Sequence, residues 1–135
     1  MSITKSDARK IAKALGNAAQ AIDDYLDENF RTLAREEYEF LNESFKTIQR
    51  TSSFVTTVAV GLAIKDLQDP VTEMQGVIDQ AKEKIQNLKN VGRVIRFVAS
   101  LVDLAAGIMA KDPNAIAGSV NNIVKLINES NTSAP

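Results

Sequence analysis

The sequence predicts an all-α protein, an antiparallel helical bundle built on one long helical hairpin, with four main helices. Three observations carry that prediction. Apolar residues recur at three- and four-residue spacing along almost the whole chain, the period of one helix face. Pro70 and Pro113 each follow an aspartate, and an Asp N-cap with Pro at the first helical position is a double start signal: the carboxylate accepts orphan N–H groups, and proline lacks the donor that would be stranded. The only other proline is Pro135, so nothing between those two starts has to interrupt a helix.

The first helix is read at 5–27, after Thr4 or Ser6 as a cap, with Ala8, Ile11, Leu15, Ala18, Ile22 and Leu26 on its apolar face. A second, at 29–66, keeps the period through Phe30, Leu33, Phe40, Leu41, Phe45 and Ile48 and ends in the apolar stretch 54–64. Between the two Asp-Pro starts, Val71, Met74, Ile78, Ala81, Ile85, Leu88, Gly92, Ile95, Ala99, Val102, Ala106 and Met109 form a three-four alternation, eleven of the twelve apolar. That pattern predicts one continuous helix at 70–111 with a heptad seam. Off the seam, 71–90 is mostly charged and polar, whereas Val94, Phe97, Val98, Leu101, Leu104 and Ile108 make the second half apolar on several sides. The second half therefore belongs inside a multi-helix base. The last helix, at 113–129, presents Ile116, Val120, Ile123 and Ile127 on one face. One domain, 1–130, followed by a flexible tail at 131–135, accounts for the chain.

A turn at 67–69 makes the two long helices a hairpin about 55–60 Å in length at 1.5 Å per residue. Facing positions then sum to about 136, which sets Glu43 opposite Arg93, Glu39 near Arg96, and Arg31 or Arg35 beside Asp103. These five residues, Glu39, Glu43, Arg93, Arg96 and Asp103, are the expected helix-pairing charges. A lone carboxylate at Asp103 in the otherwise uncharged stretch 97–110 would be costly without such a partner.

Composition excludes much chemistry. The 135 residues are 44% hydrophobic and 24% charged, enough for a core without staples. No Cys, His or Trp occurs, which removes thiol nucleophiles, imidazole acid–base catalysis, and Cys or His metal sites. Asp23, Asp24, Asp27 and Glu28 crowd one helical stretch, but a single helix cannot wrap an ion, so they read as a solvated face. Neither a metal, a cofactor nor a catalytic residue is expected. A net charge of −1 offers no field for nucleic acid, and the basic band Lys5, Arg9, Lys13 carries no interleaved aromatics for base stacking. The N-terminal residues have no apolar segment of the secretory type, so a cytoplasmic location is expected, with non-classical export as the other route.

The sharpest anomaly is 51–64, fourteen residues without a charge. Facing a helix with a single apolar stripe, it leaves Phe54, Val58, Val60 and Ile64 without cover, and these four are the expected interaction surface. The function this points to is a non-enzymatic interaction protein that self-associates, or binds a partner helix, through the apolar face of the hairpin. The alternatives are a membrane-active protein, pore-forming or lipid-binding, and a small immunity or adaptor protein. Fourteen residues are too few to span a bilayer as a helix, which needs about twenty.

Overall fold

The computed structural model describes residues 5–55, 70–110 and 112–132. Among them lie five helices and no strand: α1 (Lys5–Asn29), α2 (Arg35–Val55), α3 (Pro70–Asn87), α4 (Val91–Met109) and α5 (Pro113–Thr132). The all-α class holds, and both Asp-Pro prolines open helices. Two details change. The 70–111 stretch is two helices, so the described chain has five elements where four were expected, and α5 runs on into the residues read as tail.

Alternating apolar positions bury α1 against α2. Ile11, Leu15, Ala18 and Ile22 of α1 and Leu41, Ile48 and Val55 of α2 are fully buried. Five alanines, Ala12, Ala14, Ala18, Ala19 and Ala21, give α1 a narrow profile on which neighbours can settle closely. Ser52 Oγ donates to the Ala12 carbonyl at 2.6 Å, forty positions away, so the two helices run antiparallel. Their connection is tied locally. Asn29 Nδ2 donates to the Tyr25 carbonyl at 2.9 Å, Thr32 donates through both its N–H and its hydroxyl to Asn29 O, and Glu37 Oε1 accepts from Ala34 N at 2.8 Å. The last contact is the reaching-back half of a capping box, with Glu37 in the third helical position.

The break at 88–90 reorganises the rest. Leu88 N still donates to Lys84 O at 2.8 Å, but Asn90 takes an extended conformation and its side chain accepts from Arg93 N at 3.0 Å, which starts a new helix. Asparagine competes with the backbone for its own hydrogen bonds, so two of them, Asn87 and Asn90, supply a stop and a start without Gly or Pro. Up to this point the seam is as read: Met74, Ile78, Ala81, Ile85 and Leu88 are buried. Beyond it the buried face shifts back by one residue to Val94, Phe97, Val98, Leu101, Leu104, Ala105 and Ile108. Gly92, Ala106 and Met109 of the expected seam face solvent, while Ile95, Ala99 and Val102 are half-buried. The 70–109 stretch consequently does not run alongside α2 as one continuous arm. α2 packs against α1 and α4, whereas α3 packs against α1, α4 and α5.

α4 and α5 form a second close pair. Asp112 Oδ1 accepts from Asn114 N at 3.1 Å and Ala115 N at 3.2 Å, the N-cap read from the sequence. Asp112 N donates to Gly107 O at 3.0 Å and closes the turn. A Cβ on Gly107 would stand 3.1 Å from Ile116 N and 3.3 Å from Ala115 C, so glycine is what lets the α5 backbone come this near.

Two predictions follow from this packing. Gly107→Val should cost about 1–3 kcal/mol in urea denaturation, because the obstructing atoms are backbone and cannot swing aside. Gly118→Ala, with nothing within 4 Å of the added carbon, should instead gain up to about 1 kcal/mol of helix propensity. Equal effects at the two sites would contradict the close approach. Tyr25, 7% exposed, has its phenol pushed above its ordinary value of 10.0 by burial, with the Glu37 carboxylate adding to the shift. The unfolded chain therefore ionises first. The contribution of Tyr25 is fully present below pH 10 and is lost as pH rises beyond it, so Tyr25→Phe should flatten the alkaline fall in stability followed by circular dichroism.

Candidate functional site

Two features of the surface are unlike the rest. The first is aromatic. Phe30 is 56% exposed, Tyr38 40% and Phe40 36%, all on the turn between α1 and α2 or on the first turns of α2. Residues two apart on a helix point about 200° from each other, so Tyr38 and Phe40 cannot both enter the core. The buried direction of α2 is taken by Leu41, Ser44 and Ile48. Phe30 lies beyond the last turn of α1, with the Arg31 guanidinium 5.7 Å from its ring centre. Arg35 Nε binds Glu39 Oε1 at 3.0 Å nearby, an exposed pair worth a few tenths of a kcal/mol.

The second is a cleft of about 220 Å³ between the first turns of α4 and the end of α5, lined by Arg93, Arg96, Phe97, Leu126, Glu129 and Ser130. The antiparallel pairing of the two helices brings residues 93 and 130 to one open end. Arg93 is half-buried, and its Nη1 is shut away from solvent with no hydrogen-bond acceptor. A buried donor left unmade costs about 1–3 kcal/mol, and more when it belongs to a charged group. The Ser130 hydroxyl donates to Ile127 O at 2.9 Å, so the arginines are the free donors of the cleft.

The expected pairing charges do not meet across helices among the described residues. Glu39 pairs with Arg35 on its own helix, and Glu43 with Lys46 at 3.8 Å. Arg93 and Arg96 instead line the cleft beside α5, and Arg31 sits over Phe30. Asp103, read as needing Arg31 or Arg35, is exposed at the edge of a shallow groove of about 410 Å³ floored by Ala106, Gly107, Ala115 and Gly118. Water solvates it, so no partner is required. The physical reason is the one-residue shift at 88–90: the register that placed these groups opposite each other presumed an unbroken helix.

Of the expected interaction surface, Phe54 is half-buried and packed against the core, while Val58, Val60 and Ile64 lie outside the described residues. The exposed aromatics were missed because Phe30 and Phe40 fit the helical period. The i, i+2 spacing of Tyr38 and Phe40 was the available signal.

Among the described residues no group of three or more acidic side chains could hold a metal ion, and no helix is long and apolar enough to cross a membrane. Asp24 accepts from Gln20 at 2.9 Å on the exposed side of α1, and Asp27 and Glu28 are likewise exposed. No protein-family model matches the chain, and no match to it was found among curated proteins or solved structures.

Proposed function

We propose that this chain is a non-enzymatic helical interaction protein whose exposed aromatic end, Phe30, Tyr38 and Phe40, docks a protein surface, a second copy of the chain being the first partner to test. The observation that carries the reading is the contrast in burial: three large aromatic side chains at and just after the α1–α2 turn stand in solvent, while Ile and Leu along the described helices are buried or packed against the core. Aromatic side chains bring large apolar area with few rotatable bonds, which is why they dominate binding energy at protein interfaces. Arginine is enriched in the same places, and Arg31 and Arg35 flank the aromatics. The absence of Cys and His supports a binding role over catalysis. A membrane-active protein is the competing reading.

Light scattering against concentration, with and without anionic liposomes, tests it. The wild-type mass should rise above 14.7 kDa with concentration, and the triple variant F30A/Y38A/F40A should stay at that value. The replaced side chains are already more than a third exposed, so helicity should be kept and each change should cost less than about 1 kcal/mol. A wild-type chain that is monomeric throughout, or that partitions onto liposomes, would overturn the self-association.

A further inference from the structure

We infer that the cleft between the start of α4 and the end of α5 is a binding site for a small organic monocarboxylate, a ligand with one carboxylate on a compact apolar body. The inference stands on a different surface from the aromatic end and does not depend on it.

The charge comes first. Arg93 and Arg96 occupy successive turns of α4, and among the described residues neither forms an ion pair. Arg93 is held in place by its surroundings. Its backbone N–H is fixed on Asn90, the next turn of α4 carries the buried Phe97, and Nη1 is enclosed with no acceptor. A guanidinium in that state is screened by water on its open side only. An anion reaching it meets a stronger attraction than at a free surface arginine, and a carboxylate matches the paired, coplanar donors of the fork.

The lining then narrows the class. Phe97 and Leu126 offer carbon, and the Ser130 hydroxyl is already donated to Ile127 O. A ligand with an apolar body beside its carboxylate fits against Leu126 and the edge of Phe97. Two arginines and Glu129 give the lining a net charge of +1, which suits a monoanion better than a phosphate dianion. The volume, about 220 Å³, exceeds the roughly 150 Å³ that encloses a benzene ring, leaving room for a ring and one carboxylate.

The test is an NMR titration of the full chain with sodium benzoate, beside benzyl alcohol, which keeps the ring without the charge, and inorganic phosphate, which keeps charge without the ring. Benzoate should shift the amides of 92–97 and 126–130 saturably, and the other two probes should bind at least tenfold more weakly. Arg93→Met should weaken benzoate at least tenfold and raise the melting temperature of the unliganded protein, since the enclosed donor is gone. Arg93→Lys, which keeps the charge without the fork, should weaken it about fivefold and guards against a folding defect in the first variant. Absence of saturable shifts in those two segments, equal binding by Arg93→Met, or phosphate binding more tightly than benzoate would each overturn the proposal.

Discussion

The hydrogen bond from Arg93 N–H to the Asn90 side chain, 3.0 Å long, decides more of this molecule than its size suggests. It ends any continuation of α3 and starts α4 with the buried face moved by one residue, about 100° around the helix. With that rotation, Val94, Phe97, Val98, Leu101, Leu104 and Ile108 all turn inward, among them the largest fully buried side chains of α4. The half-exposed positions left outside, Ile95, Ala99 and Val102, are those that an uninterrupted heptad would have buried. A single capping interaction is worth about 1 kcal/mol. The burial it aligns is worth several times that, at about 1.5–3 kcal/mol for each large apolar side chain. The cap is therefore decisive as a switch of register, and the core supplies the energy that makes the switched register the stable one.

The same rotation explains the charges. With the helix unbroken, Arg93 and Arg96 would face the glutamates of α2. Turned as they are, they lie against the end of α5, where the carbonyl end of the helix dipole favours cations. Glu39 and Glu43 then take their partners on their own helix, at i−4 and i+3, where pairs form without any tertiary requirement. None of these exposed pairs decides the fold. Small residues do more: the Ser52–Ala12 hydrogen bond and the approach at Gly107 both need backbones close enough for side chains to be nearly absent between them.

Helix existence was legible in the sequence, and so were the starts at Pro70 and Pro113; at α5 the signal is local, because Asp112 supplies the acceptor and Pro113 lacks the donor that would be stranded. The core of α1 was legible for the same reason: Ile11, Leu15, Ala18 and Ile22 keep one period with no break to disturb it. The join at 88–90 was not, since Leu-Lys-Asn contains no Gly or Pro and Leu88 itself keeps the seam. Its one sign was Asn90 ahead of a new apolar run. Once that join was missed, every inference that crossed it failed together. The hairpin partners, the opposed charges and the need for a partner at Asp103 all assumed a single phase from 70 to 111. The apolar character of 94–108 on several sides was legible because it depends on composition along the helix and not on phase.

Where the surface is distinctive follows from what the core leaves over. α2 spends its buried direction on Leu41, Ser44, Ile48, Thr51 and Val55, two of them polar residues whose hydroxyls bond back to the preceding turn. Tyr38 and Phe40 are thus excluded from the interior by geometry, in a segment rich enough in glutamate and arginine to keep the exposed rings soluble. At the other feature the logic is reversed. Arg93 is drawn partly inward because it lies one residue before the first core position, Val94, and four before Phe97, so its stem must run along the edge of the apolar face. Its head reaches the α5 end with no carboxylate placed to receive Nη1. Replacing such a group by a hydrocarbon of similar length would relieve the enclosed donor and keep the packing of the stem, so stability alone gives no reason for arginine at this position. A ligand that bonds to the guanidinium gives one. It bonds to the open side of the guanidinium, between the two helix ends that the Asn90 cap brought together.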